Sequence, residues 1–287
     1  MPDDRTRLNA LQTGELDVAW VASSYIDEAM NVPDIEVRPG TSLAYVQMQL
    51  NRTKSEFEFE DQRVRKALNY AIDRQAILDG VLRGYGETTV QPFQEDFWAH
   101  SPEAAEQYEH DLDRAGELLE EAGLGDGFSF ELLTPPVDDS DLIGEVIQQQ
   151  LEPLGIEVSL RAVEPAQTAD IFLAQEGGDA LVTLTPGQPE PSLATELYVE
   201  GFNNPGDHTT EEVQRLHELT ITTVNEDERE QYVHDLVHEA VVEEALNVPL
   251  VFRATGYLWS EDIVGFEPHR AALHEFRGVG VSVDDDH

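Results

Sequence analysis

Residues 128–162 read Phe-Ser-Phe-Glu-Leu-Leu-Thr-Pro-Pro-Val-Asp-Asp-Ser-Asp-Leu-Ile-Gly-Glu-Val-Ile-Gln-Gln-Gln-Leu-Glu-Pro-Leu-Gly-Ile-Glu-Val-Ser-Leu-Arg-Ala. Apolar and polar residues alternate from Phe128 to Leu133, the period of a half-buried strand. Asp141 to Leu154 carries the helical period, and Ile156 to Ala162 alternates again, so the stretch predicts a strand-helix-strand unit. A third strand, Ala180 to Leu184, leads into a loop over Thr185 to Ser192. Strands and helices continue to alternate along the chain, which predicts an α/β class.

Working outward from this unit, Asp113 to Ala122 reads as a helix stopped by Gly123. The Gly123, Gly125, Gly127 string follows that helix, whereas a dinucleotide loop follows a strand, so it is a turn. Upstream, Asp61 is placed to cap a helix in which Val64, Leu68, Ala71 and Ile72 form an apolar stripe, with Arg63, Arg65 and Lys66 opposite. A further helical stretch runs from Asp73 to Leu82, and Gly84 to Ser101, rich in Gly, Pro and aromatics, reads as an irregular loop. Thr6 to Gln12 is a short helix broken at Gly14, followed by a strand from Asp17 to Val21. Two extended segments are expected around a turn at Pro39-Gly40, the second ending near Leu50-Asn51. Beyond the central unit, Thr210 to Val224 and Asp227 to Leu246 read as helices, and Val248 to Phe252 and Gly256 to Ser260 as extended. Extended segments at both ends thus flank a self-contained α/β unit, as if one lobe were inserted in another.

Composition bounds the solvent and the partners. The 287 residues hold 40% hydrophobic and 8% aromatic side chains, enough for a packed core. Against 17 Lys and Arg stand 59 Asp and Glu, a formal charge of -42, and Lys54 and Lys66 are the only lysines. Such self-repulsion destabilises a compact state unless salt screens it, and in molar salt the Debye length falls to roughly 3 Å. The composition therefore indicates a protein of a high-salt environment. The acids are spread evenly, apart from the run Asp284 to Asp286, which reads as a solvated tail. Nucleic acid is excluded as a partner, because binding it draws on Lys and Arg. Cysteine is absent, which removes disulfides, thiolate metal sites, a cysteine nucleophile and a lipidated cysteine on this sequence. No apolar run reaches the ~20 residues of a membrane span, and the opening Met1-Pro-Asp-Asp-Arg-Thr-Arg lacks the apolar core of a signal peptide.

Catalytic patterns are missing. His234 and His238 stand four apart on a predicted helix, the spacing of a two-histidine metal face, but the Glu of a His-Glu-x-x-His motif is absent and a solvated face explains them. No serine sits in a Gly-x-Ser-x-Gly elbow.

The stretch Arg-Leu-Asn-Ala-Leu-Gln-Thr-Gly-Glu-Leu-Asp-Val-Ala, Arg7 to Ala19, resembles the Ala-Leu-x-x-Gly-Glu-x-Asp segment of family 5 solute-binding proteins of peptide/nickel ABC transporters. Leu50-Asn51 followed by Phe59-Glu-Asp-Gln-Arg-Val-Arg-Lys-Ala-Leu-Asn-Tyr-Ala-Ile-Asp-Arg74 is similar to that family's most specific run. Gly84 with Pro92, Asp113, Ala115, Leu118 to Gly123, Gly155 to Val158, Asp179, Asn203-Asn204, Arg229 and Pro249-Leu250 follow in the family's order.

The resemblance implies a periplasmic-binding-protein-like fold of type II. Residues 51–247 would form an inserted α/β lobe, and 1–50 and 248–287 parts of an incomplete second lobe. Val46 to Asn51 and Asn247 to Phe252 are the hinge candidates, and Arg63, Arg65 and Arg74 are expected to pair with carboxylates as structural residues. It implies a non-catalytic role without cofactor or metal: capture of a small solute, peptide or oligosaccharide, for an ABC permease in the membrane. Peptide binders of the family carry an acid that pairs with the peptide's α-ammonium group, and the corresponding place, near Gly187-Gln188, has none; Glu190 would substitute only if the loop shifts. This departure favours a neutral solute such as an oligosaccharide, held by Thr185, Gln188 and aromatics, with Phe93, Phe97, Trp98 and Tyr198 as further pocket candidates.

Family members also carry a further N-terminal half that supplies most of one lobe, so the chain is expected to be truncated. The alternative role is a remnant or split subunit, an interaction domain completed by a second chain and binding no solute alone. The location is extracellular or at the cell surface if an export signal lies upstream, and cytoplasmic if the chain stands alone.

Overall fold

The structure is a computed structural model that describes residues 3–53, 58–137, 139–174, 177–269 and 276–282. Lys54 and the acidic run Asp284 to Asp286 lie outside the described residues. In chain order, α1 (Asp4–Gln12), β1 (Val18–Val21) and α2 (Ile26–Met30) precede the long strand β2 (Ile35–Leu50). Then come α3 (Gln62–Ala71), α4 (Arg74–Gly80), β3 (Gly86–Thr88), α5 (Pro102–Ala105) and α6 (Leu112–Glu121). The unit β4 (Ser129–Leu133), α7 (Ser140–Leu151) and β5 (Glu157–Arg161) is followed by β6 (Ala180–Thr185) and α8 (Pro191–Ala194). Last are α9 (Glu211–Thr222), α10 (Glu226–Val237), β7 (Asn247–Ser260), β8 (Ile263–Val264) and β9 (Gly280–Val281).

One sheet runs in the order β1-β7-β2-β6-β4-β5, with β3 added to β7. The βαβ unit forms as its alternation predicts: β4 pairs in parallel with β5 and with β6, and α7 makes the first crossover. β2 and β7 lie side by side and antiparallel through most of their length, and β6 pairs antiparallel with β2 from Tyr45 to Leu50. The mixed α/β architecture agrees with the class read from the sequence.

Helix starts follow side-chain chemistry. Asp61, Asp73, Asp111, Thr210 and Asn225 each accept a backbone N–H at the first turn of α3, α4, α6, α9 and α10. Val64, Leu68 and Ala71 of α3 pack with Leu118 and Leu119 of α6 and Ile143 and Ile147 of α7 on the apolar face of β2, β4 and β6. A second core gathers α9, α10 and the segments around Phe93 and Tyr198, and a third joins α1, β1 and β7.

Four expectations are corrected. Pro39-Gly40 is no turn: β2 runs straight through it, with Pro39 opposite Gly256 and Gly40 opposite Thr255 of β7. Over this stretch, among the described residues, β2 pairs with β7 alone, so it is an edge, where a residue without N–H is tolerated. At Gly40 the Tyr257 ring comes so close that an added Cβ would lie 3.1 Å from it. The tail is likewise one strand, not two, and the loop from Gly84 contains β3, held to β7 at Gly86↔Arg253.

The fourth correction concerns arginines. Arg65 is 1% exposed and Arg74 7%, so Arg65 is not on a solvent face opposite the stripe. Arg63 does pair with Asp61, and Arg65 with Glu244 at 3.1 Å. Arg65 also donates to the carbonyls of Phe59, Glu60 and Glu244, whereas Arg74 takes the carbonyls of Thr89, Pro249 and Asn69 and the Asn69 carboxamide instead of a carboxylate. Both clamp loops and strands to α3 through the main chain. Burial lowers the Arg74 guanidinium to about 10.

Candidate functional site

Strict alternation puts Gln47 and Gln49 of β2 on the sheet face opposite Val46, Met48 and Leu50, which are fully buried in the core. The register Tyr45↔Thr185, Gln47↔Thr183 and Gln49↔Leu181 brings Thr183 and Thr185 of β6 onto the same face. These side chains floor a cavity of about 420 Å³. Gln47 Nε2 donates to Thr185 Oγ1 at 2.6 Å, and Gln49 Nε2 to the Asn203 carbonyl at 2.8 Å. Both amides are nearly inaccessible, 1% and 5% exposed, so their orientations are fixed by packing and hydrogen bonds. Ala169 and Leu173 form one wall, and Leu193, Ala194 and Leu197 the other. Among the described residues that line it, the exposed Glu196 is the one ionisable group.

Two further cavities adjoin it. Leu184 is shared with a second cavity of about 290 Å³, lined by Trp20, Ser42, Ala44, Arg253, Thr255 and Tyr257. Trp20, Arg253 and Thr255 are in turn shared with a third, of about 410 Å³, which reaches Arg7 of α1 and Val137, Asp139 and Asp141 beyond β4. The three cavities, linked by shared lining residues, are together termed the crevice. It lies at the carboxyl ends of the parallel strands β4 and β6, where open α/β sheets place their ligands. The loop after β6 closes tightly on β2: a Cβ at Gly187 would stand 2.2 Å from Leu43.

Thr185 and Gln188, expected from the sequence to hold solute, line the first cavity. Phe93, Phe97, Trp98 and Tyr198 do not line the crevice. Phe93 is buried among α9 and α10, with the Phe97 ring 5.8 Å away. Trp98, 40% exposed, lies under the Arg229 guanidinium at 5.4 Å. Tyr198 is fully buried beside Tyr45, and burial raises both phenols. Glu190 caps α8 and pairs with Arg229, which places its carboxylate away from the crevice. His234 Nε2 lies 3.2 Å from the Trp98 carbonyl and His238 Nε2 3.9 Å from Glu103, so the two rings serve separate partners.

Sequence reading missed Gln47, Gln49, Trp20 and Arg253. For the glutamines a signal existed: two amides alternating with Val46, Met48 and Leu50 in one strand. Trp20 and Arg253 come from opposite ends of the chain and meet through β1 and β7.

Comparison with known proteins gives the family. The description "Bacterial extracellular solute-binding proteins, family 5 Middle" matches residues 1–206, and the chain belongs to this family. It is 28% identical over 208 residues to Heme-binding protein A of Haemophilus influenzae, covering 65% of this chain and 37% of that protein. It is 31% identical over 178 residues to the oligopeptide-binding protein AppA of Bacillus subtilis, covering 57% and 32%. Among solved structures, HbpA2 of Haemophilus parasuis superposes with a TM-score of 0.82 at 25% identity, over 99% of this chain and 57% of that one. AppA of Bacillus subtilis in complex with a nonapeptide superposes at 0.84 with 21% identity, over 99% and 59%, a likeness of fold. The chain thus spans about a third of the length of these two curated relatives, and under three-fifths of the solved chains. These relatives are named as binding proteins.

Proposed function

We propose that this chain is the solute-capturing part of an extracytoplasmic binding protein that delivers a small solute, peptide or oligosaccharide, to an ABC permease. The observation that carries this reading is the crevice, with a floor of amides and hydroxyls fixed by Gln47–Thr185 and Gln49–Asn203. Fixed polar groups in a concave site orient a ligand at little entropic cost. Residues 51–247 act as the lobe inserted between 1–50 and 248–287. The hinge strands Val46 to Asn51 and Asn247 to Phe252 are neighbours in the sheet, with Gln49 opposite Asn247, so a bend in one is shared by the other. Solute that touches both sides of the crevice stabilises the closed form. No helix among the described residues is long and apolar enough to cross a membrane.

Thermal melts in molar KCl with a panel of di- to pentapeptides and neutral oligosaccharides test the reading. A bound solute at 100 times its dissociation constant adds about 2.7 kcal/mol and raises Tm; a panel that leaves Tm unchanged throughout contradicts it.

A second reading, a domain completed by another chain, is supported by β1, which ends the sheet and pairs with β7 alone among the described residues. Light scattering with and without candidate partner chains separates the two.

A further inference from the structure

Resting on the solute-binding reading, we infer that the crevice is built for a sugar chain and that Trp20 is the stacking platform that recognises it. Trp20 is 53% exposed, although its neighbours Ala19 and Val21 are buried. Its indole is braced: the Arg7 guanidinium lies over one ring face at 5.8 Å, and Arg7 Nε donates to the Trp20 carbonyl at 2.8 Å. Directly across the β1–β7 ladder stands Tyr257, and alternation puts Thr255 and Arg253 on the same face of β7. An exposed but braced ring bordering a cavity with a few polar groups has the form of a platform for a flat apolar face, and a pyranose offers such a face with hydroxyls around its edge. Those hydroxyls find Arg253, Ser42 and Thr255 in the middle cavity and the amide and hydroxyl floor of the first.

Charge supplies the counter-test. A peptide would bring an α-ammonium into the crevice, and Glu190, the acid nearest the expected place, is paired with Arg229. In the third cavity Asp3 caps α1 and Asp4 pairs with Arg7. Asp139 and Asp141 also line that cavity, and they are where an ammonium would go if the solute were a peptide.

The test uses the three tryptophans. Trp98 lies under Arg229, and Trp259 is 7% exposed with its ring 5.3 Å from Phe266, so Trp20 is the indole that faces the crevice. The full chain in molar KCl is titrated with cellotriose, maltotriose, xylotriose and trialanine, followed by tryptophan emission and calorimetry. Expected is a trisaccharide that shifts the emission, an affinity roughly tenfold weaker in Trp20→Ala, and affinity within about threefold of the original in Trp20→Phe, which keeps a stacking face. Circular dichroism and melts of both variants establish that they fold. Trisaccharide binding that leaves the emission and the Trp20→Ala affinity unchanged overturns the platform while the solute-binding reading stands. Trialanine binding that is lost in Asp139→Asn or Asp141→Asn overturns the sugar assignment alone. No binding by any of the four overturns both the reading and the inference.

Discussion

Gln47 and Thr185 tie β2 to the first cavity: Gln47 Nε2, on β2, donates to Thr185 Oγ1, at the end of β6, at 2.6 Å. One side chain thereby belongs both to the proposed hinge strand and to the floor of the proposed solute cavity. Gln47→Leu keeps the volume and removes the bond. The variant is expected to lose about 1 kcal/mol in denaturant unfolding, because the Thr185 hydroxyl can turn to water in the cavity. Solute affinity is expected to fall roughly tenfold by calorimetry, the loss of a fixed polar contact.

Arg74 is a structural residue, and its variants will separate folding from binding. In Arg74→Met the carbonyls of Thr89, Pro249 and Asn69 lose their donor inside the core. The expected cost is about 3 kcal/mol, measured by urea unfolding, as several buried acceptors go unpaired together. Solute affinity per folded molecule should stay unchanged, since Arg74 does not line the crevice.

Acid should weaken the fold through His208. Burial first, and then the nearby charges of Arg52 and Arg65, hold its imidazole down at about 4, against an ordinary value of 6.5. The unfolded chain therefore binds more protons between these values. The His208 contribution is fully present above about pH 6.5, declines as the pH falls toward 4, and is absent below that. Melts across this range should show a fall in Tm that is shallower in His208→Gln. That variant keeps the His208 carbonyl that accepts from Arg52 and Asn204.

Low salt should unfold the chain reversibly. With a formal charge of -42, dialysis from molar KCl into dilute buffer leaves the carboxylates unscreened. Circular dichroism is expected to show loss of structure on dialysis and recovery when KCl is restored.

Local patterns were legible where local physics decides. The alternation of Phe128 to Leu133 and Ile156 to Ala162, the helical period between them and the cap at Asp61 all describe short-range preferences, and all appear in the structure. Pro39-Gly40 misled because its turn chemistry is overridden by pairing with Gly256 and Thr255, more than 200 residues away. Arg65 and Arg74 misled for a related reason: a charged residue reads as surface unless the distant carbonyls that receive it are known. At the site, family resemblance led to Thr185 and Gln188 on a single loop. Trp20 and Arg253 required the sheet itself, since β1, β7 and β6 supply the crevice from three separate parts of the chain.

The central claim, that solute binds in the crevice between β6 and β1, is tested most directly by amide hydrogen exchange in molar KCl. The free protein would be compared with protein saturated by the best solute of the panel. The account predicts slowed exchange concentrated at Gln47–Gln49, Thr183–Gln188 and Trp20–Val21. Protection confined to other segments, or exchange identical with and without solute, would contradict it.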